Sequence, residues 1–290
     1  MIAVLKHELS GYFHSLTAYI FSAFLLAFVG IGALIYNIQS AVANFEYVLG
    51  YVCLGFVVII PILTMRVIAE ERKQKTDQLL YSLPIRTSQI VIGKYLALLA
   101  VYLVPLCIVA LYPLIFAQFG EVYLLTSYGS LFAFFVMGAA MLAVGTFISS
   151  LTENQGFAAG IAIPVILFNY YSVTLAEYVS ATASGSAAAL LVIAVLFGFI
   201  IRHLTKNQNL AYGVSFLIML AVVVLYFADN SKFEGLLPDI MTKLSLFERF
   251  YTFVNGVFDL TAIIYYITVI IFFLFLSVQS LEKRRQNEPI

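Results

Sequence analysis

Charge is what this sequence has least of. Asp, Glu, Lys and Arg make up 10% of its 290 residues and 63% of the chain is hydrophobic, where a soluble domain is about 25% charged. That balance excludes an ordinary soluble enzyme and points to a polytopic membrane protein. Cysteine is scarce too. Cys53 and Cys107 both fall inside apolar runs, which argues against a disulfide framework and leaves two small apolar residues. Lys6, His7 and Glu8 precede the first apolar run, but no small-residue cleavage site leading into a soluble domain follows. Internal repeats and low-complexity linkers are also missing.

Catalytic constellations are missing as well. There is no G-x-x-x-x-G-K-[ST] phosphate loop, because Gly93-Lys94 follows Ile-Val-Ile and lacks the upstream glycine. No H-E-x-x-H occurs, and His7, His14 and His203 lie too far apart in sequence to suggest a metal site. No nucleophile elbow or spaced carboxylate pair stands out. The expected spans carry almost no acidic residue away from their ends, with Glu121 and Glu177 at outer edges. Ion-driven carriers usually keep an ionisable group in mid-membrane. Its absence argues against self-powered transport, so energy for uphill work would come from another subunit.

What is present is a series of uncharged windows about 20 residues long, each enough to cross a hydrocarbon core of about 30 Å. Eight are expected near 17–36, 48–69, 95–119, 128–150, 156–176, 186–202, 210–228 and 260–281. The sixth is weakest, since small residues run from Thr182 to Ala189. Pro61, Pro105, Pro113 and Pro164 fall inside these windows and favour bends that neighbouring helices can satisfy. Lys6, Arg66, Arg72, Lys73, Lys75, Arg86, Lys94, Arg202, Lys206, Lys283, Arg284 and Arg285 fall on one side, against Lys232, Lys243 and Arg249 on the other. With an even number of crossings, the positive-inside rule then places both termini in the cytosol of a multi-pass cell-membrane protein.

The longest charged interruption is Ala69 to Pro84, with six formal charges in sixteen residues. Read as a helix, it sets Leu79, Leu80 and Leu83 along one edge beside Lys75, Asp77 and Gln78. A cytosolic amphipathic helix between spans two and three suits docking to a partner at the membrane surface. Residues 1–16 form a second amphipathic stretch. Ile2, Leu5, Leu9, Tyr12, Phe13 and Leu16 share an arc of about 100° opposite Lys6, His7, Ser10 and His14. This is an interfacial elbow helix, or else an extension of the first span. The loop Ser149 to Gln155, with Thr152, Glu153 and Asn154, is either a second partner contact or a plain turn. Between Asp229 and Asp259, Leu237, Ile240, Met241 and Leu244, then Phe247, Phe250, Tyr251 and Val254, repeat at helical spacing. They predict two short helices capping the outer leaflet. Glu282 to Arg285 closes the last span as a basic anchor, too short for a nucleic-acid patch.

The residues from Thr64 to Arg72, then Lys75 to Leu80, Leu83-Pro84 and Ile92 to Lys94 resemble the signature of ABC-2 type transporter permeases, and the gliding-motility branch most closely. Lys6 to Leu9 with Tyr12-Phe13 and Ala18 to Ile20 resemble the start of that branch, and Ser149 to Gln155, Phe247 to Phe250 and Gly256 to Asp259 resemble its later landmarks. Lys75 stands where the family commonly has glycine, Gln78 where it has glutamate, and six spans per subunit are usual. The resemblance implies an all-α membrane protein with one permease domain over 1–290, comprising the elbow (1–16), a cytosolic coupling loop (70–92) and an extracellular cap (229–259). It implies a pair of permease subunits, identical or not, and two separate ABC ATPases that hold ATP and Mg, leaving this chain without a cofactor. Glu70, Glu71, Arg72, Thr76, Asp77, Gln78, Leu79, Leu80, Leu83 and Pro84 would meet the ATPase, Lys6, Tyr12 and Phe13 would form the elbow, and Phe247, Phe250 and Tyr251 an outer gate. The competing readings are a self-contained channel or ion-driven carrier, and a lipid-modifying membrane enzyme.

Overall fold

The computed structural model describes residues 2–76, 85–205 and 208–287. Its helices begin and end where local chemistry allows. Helix α1 (Ile2–His14) stops at Ser15, whose extended backbone (φ −97°, ψ 159°) separates it from α2 (Leu16–Ala33), continued as a π-helical turn over Leu34–Gln39. The amino-terminal stretch is therefore a helix of its own and not a continuation of the first span. Helix α3 (Glu46–Thr64) leads into the short α4 (Ala69–Gln74). Then come α5 (Thr87–Val109), α6 (Tyr112–Phe116), α7 (Leu124–Leu151), α8 (Gln155–Tyr178), α9 (Ala183–Thr205) and α10 (Gln208–Ala228). A 3-10 turn (Asn230–Phe233), α11 (Leu236–Leu244), α12 (Leu246–Val254) and α13 (Leu260–Asn287) complete the order, with no strand among the described residues.

Among the described residues, seven helical stretches are long and apolar enough to cross a membrane: Leu16–Gln39, Glu46–Gln74, Thr87–Phe116, Leu124–Leu151, Gln155–Tyr178, Ala211–Ala228 and Leu260–Gln286. Helix α9, at the expected sixth span, carries the apolar run Ala183–Phe199. The protein is a polytopic α-helical membrane protein. Pro61, Pro105 and Pro164 lie inside α3, α5 and α8. Pro113 also lies inside a crossing stretch, Thr87–Phe116. The helix breaks after Val109 and Pro113 falls in the first turn of α6, where its missing N–H is not needed.

The chain divides into two units, residues 1–170 with 249–290, and residues 171–248. In the first, α7 is the central post and packs against α3, α5 and α13. Its contacts are tight because its facing residues are small. Phe56 of α3 lies 4.6 Å from Phe134 of α7, centroid to centroid. Tyr102 and Tyr95 of α5 donate to the carbonyls of Phe134 and Ala139, each at 2.9 Å. Gly138 faces the Tyr102 ring, and Gly145 faces Thr64 so closely that an added Cβ would lie 2.7 Å from the threonine Cβ. In the second unit, Ala183, Ala187 and Phe233 form a small core flanked by Leu190, Val222, Tyr226 and Leu236, so α9, α10 and the 3-10 turn pack together.

At one end of α7, Ser130 donates to the Phe253 carbonyl of α12 at 2.9 Å and Ser127 donates to the Glu46 carboxylate at 3.0 Å. Overpacking a membrane core costs about 1–3 kcal/mol. Gly145→Val is expected to lower the thermal midpoint of the detergent-purified protein by several degrees. Gly160→Ala, where an added Cβ meets nothing within 4 Å, is expected to leave it unchanged, as a fluorescence melt would show.

Candidate functional site

The charges that the apolar windows exclude gather at the opposite end of α7, around α4. Helix α4 has no cap of its own: Ile68 precedes it without a side-chain hydrogen bond. The backbone N–H groups of Ile68 and Ala69 instead donate to Ser149 Oγ of α7 at 3.2 and 3.1 Å, and that hydroxyl donates to the Met65 carbonyl at 3.2 Å. A serine 80 residues away in sequence thus does what an N-cap normally does.

Three of the four charged side chains of α4, Glu70, Glu71 and Arg72, are drawn into the bundle, while Lys73 is exposed. Glu70 makes a bidentate pair with Arg66, both contacts at 2.8 Å, and the same guanidinium donates to Thr17 of α2. Glu71 lies 2.7 Å from Lys94 of α5, and Glu8 of α1 lies 2.7 Å from the same ammonium, which is 1% exposed. Arg72 donates to the Ser150 carbonyl at the end of α7 and approaches Glu153 at 3.8 Å. Arg284 of α13 meets Glu153 at 2.6 Å, and Ser280 donates to the Ser150 carbonyl at 3.1 Å. The hydrogen bond from Arg284, then the charges of Arg284, Arg72 and Lys75, hold the Glu153 carboxyl below its ordinary value. Its contribution is therefore present above the usual carboxylate pKa and fades as pH falls through the lowered value. The side chain is half exposed, so this pairing is weak.

Helix α4 closes in a Schellman turn. Lys75 adopts a left-handed conformation (φ 57°), with its N–H donating to Arg72 and the Thr76 N–H donating to the Glu71 carbonyl at 3.0 Å. The expected single helix from Ala69 to Pro84 is thus interrupted at Lys75. Glycine takes this conformation without a Cβ penalty, whereas a lysine pays about 1–2 kcal/mol. Thr76 is exposed. Asp77, Gln78, Leu79, Leu80, Leu83 and Pro84 lie outside the described residues.

The remaining expected positions divide between turns and packing. Thr152 Oγ1 accepts the Asn154 N–H at 3.1 Å, and Asn154 Oδ1 accepts the Gly156 and Phe157 N–H groups at the start of α8. Those two residues build the turn, while Glu153 reaches across it. Lys6 and Phe13 are exposed and Tyr12 is buried against the bundle. Burial, followed by the Glu8 charge, raises the Tyr12 phenol well above its ordinary value. Phe247 and Phe250 are buried, with Phe250 5.6 Å from Phe134, and Tyr251 faces Gly50.

Two features escaped the sequence. Lys94 reads there as a span-end cation, yet it is the buried hub of a three-helix ion triad. Glu46 is also buried, at 2% exposure in the first turn of α3, where Asn44 and Ser127 donate to it. The signal for Lys94 was its place one turn inside an apolar run, with no partner nearby in sequence.

The family model described as ABC-2 family transporter protein matches residues 33–228, about two-thirds of the chain, including α4, Lys94, Ser149 and Glu153. The chain belongs to the ABC-2 transporter family. Neither curated proteins nor solved structures give a match. Membership makes this permease a multi-pass membrane component of an ABC transporter, and the ion-paired junction lies within the matched part apart from Glu8, Thr17, Ser280 and Arg284.

Removing one partner of a buried ion pair costs about 3–5 kcal/mol because a charge is left unpaired. Lys94→Met is therefore expected to destabilise the permease more than Glu8→Gln, which leaves Glu71 on the ammonium. Thermal melts of both variants check the order.

Proposed function

We propose that this permease is the membrane-spanning subunit of an ABC exporter, moving its cargo with ATP hydrolysed on a separate ATPase subunit. The observation that carries this reading is the anchoring of α4. A push on the segment that follows Thr76 would pass through α4 to α7 by Ser149, to α1 and α5 by Lys94, and to α13 by way of Glu153. A rigid junction of this kind transmits force where a loop tethered only at its ends would absorb it.

In this proposal the charge-rich end faces the cytosol of the cell in which the protein sits in the plasma membrane, consistent with the twelve basic residues assigned there. Glu70, Glu71 and Arg72 act as the base of the coupling segment, holding it to the bundle. Thr76, Asp77, Gln78, Leu79, Leu80, Leu83 and Pro84 supply the surface that meets the ATPase. Glu153, flanked by Thr152 and Asn154, is a second contact on the same side. Helix α1, with Lys6, Tyr12 and Phe13, is the elbow, and α12, with Phe247, Phe250 and Tyr251, gates the outer side. Two permease subunits, the same or different, pair to enclose the path, and ATP and Mg are bound by the ATPases. A self-contained channel or ion-driven carrier fits less well. The one deeply buried acid described, Glu46, lies at the end of its helix and is held by two neutral donors.

The test is capture of the ATPase. The permease, drawn from membranes in mild detergent, is expected to bring with it a subunit that carries a phosphate loop, identified by mass spectrometry. Leu79→Asp and Leu80→Asp should cut that capture at least ~10-fold, the equivalent of about 1.4 kcal/mol, with membrane insertion unaffected. Phe250→Ala should change transport and leave capture intact. Undiminished capture with both aspartate variants overturns the docking assignment, and gradient-driven flux by the permease alone overturns the exporter reading.

A further inference from the structure

Helices α3 and α4 form one crossing stretch, Glu46–Gln74, broken at residues 65–68. On either side of the break the backbone follows the helical i to i−4 pattern. Met65 N–H donates to the Pro61 carbonyl at 2.8 Å, and Glu70 N–H to the Arg66 carbonyl at 3.3 Å. Within the break, Val67 N–H turns back to Thr64 at 3.2 Å, three residues away. In a continuous helix Ala69 N–H would donate to the Met65 carbonyl. Both ends of that bond are instead held by one side chain. Ala69 N–H donates to Ser149 Oγ at 3.1 Å, and the same hydroxyl donates to the Met65 carbonyl at 3.2 Å. Ile68 N–H donates to its second lone pair at 3.2 Å. Ser149, fully buried, is thus inserted into the hydrogen-bond ladder of another helix, an insertion that bends helices sharply.

The bend has an alternative with the same groups paired. Once the hydroxyl is withdrawn, Ile68 and Ala69 can close onto the Thr64 and Met65 carbonyls. Ser149 can then turn to a carbonyl of its own helix, as Thr146 does to Leu142 and Ser150 to Phe147, each at 2.7 Å. Neither arrangement strands these buried donors, which is the condition for two states of similar energy. The α3 side leans toward the bend as well, since Thr64 Oγ1 donates back to the Ile60 carbonyl at 2.9 Å and Pro61 has no N–H. Gly145, one turn before Ser149, lets the two backbones approach closely enough for a short side chain to reach across. We infer that the α3–α4 junction is a two-state hinge and that Ser149 is the wedge holding it bent. Helix α4 is tied to α1 and α5 through Lys94, so a change at the hinge shows as a tilt of α3. The nineteen residues of α3 span about 28 Å, and a tilt of about 10° moves the outer end by ~5 Å. That end is where Ser127 holds Glu46 and where Gly50 faces Tyr251 of α12. On the exporter reading, on which this last consequence rests, the wedge links the coupling segment to the outer gate.

The experiment reads the distance between spin labels on Tyr47→Cys and Leu125→Cys, exposed at the outer ends of α3 and α7. It uses the full-length permease alone, in a Cys53→Ala and Cys107→Ala background. Ser127→Ala releases the outer end and is expected to keep the parent distance while the wedge is in place. Adding Ser149→Ala is expected to bring in a second distance, displaced by ~5 Å, with its share over the parent's raised at least ~10-fold. Ser150→Ala in place of Ser149→Ala removes a neighbouring hydroxyl that bonds within α7 and should give the parent distance. Ser149→Ala should also lower the thermal midpoint no further than Ser150→Ala, because the closed ladder pairs the released N–H groups, where the loss of a plain cap would strand them. An unchanged distance in the double variant, the same displacement with Ser127→Ala alone or with the Ser150 control, or loss of the folded state in Ser149→Ala overturns the hinge. With the ATPase captured, Ser149→Ala should leave capture intact and lower transport per ATP hydrolysed, and an unchanged ratio overturns the link to the gate. Failure of the wild-type permease to capture any ATPase sinks the exporter reading and leaves the distances to decide the hinge.

Discussion

The arrangement at the basic end of this permease depends on one ammonium. Lys94, almost fully withdrawn from solvent, holds Glu8 of α1 and Glu71 of α4 at the same time. A buried ammonium without partners is costly, and two carboxylates so close would repel one another without the lysine. Each group makes the others tolerable, so three helices far apart in sequence are held in one place by mutual electrostatic need. Hydrophobic packing cannot do this in a bilayer, because lipid tails satisfy apolar faces as well as another helix does.

Around that hub the remaining polar contacts form a frame. Ser149 caps α4 from α7, Arg72 reaches the carbonyl at the end of α7, and Glu153 is shared by Arg72 and Arg284. The frame converts a six-residue helix that would not persist alone into a fixed part of the bundle. Lys75 is the left-handed residue that closes α4, a conformation that glycine takes without a Cβ penalty. At the far end of α7 the same economy recurs. Ser127 and Ser130, one turn apart, hold Glu46 of α3 and the end of α12, so a single post links the two ends of the first unit.

The lipid-facing elements were legible because the bilayer imposes a simple rule on sequence. A helix must cover about 30 Å with residues that tolerate hydrocarbon, and uncharged windows such as 128–150 or 260–281 announce themselves. The two short amphipathic helices between Leu236 and Val254 followed from their helical spacing. Less was legible where conformation depended on distant partners. The run Ala69 to Pro84 reads as one helix by its spacing, yet it stops at Gln74, where Lys75 turns left-handed and the backbone closes on Glu71 and Arg72.

The sequence by itself determined that this chain is a helical membrane protein, roughly where it crosses, which end collects its basic residues and which stretch carries the family signature. Those properties are set by composition and local periodicity, which do not require knowing what any residue touches. Only the tertiary structure decided that Glu70, Glu71 and Arg72 turn inward and that Lys94 is a hub. Ion pairs such as Glu8 with Lys94 join residues 86 positions apart. No local pattern records such a separation, because it exists only once the helices between them have packed.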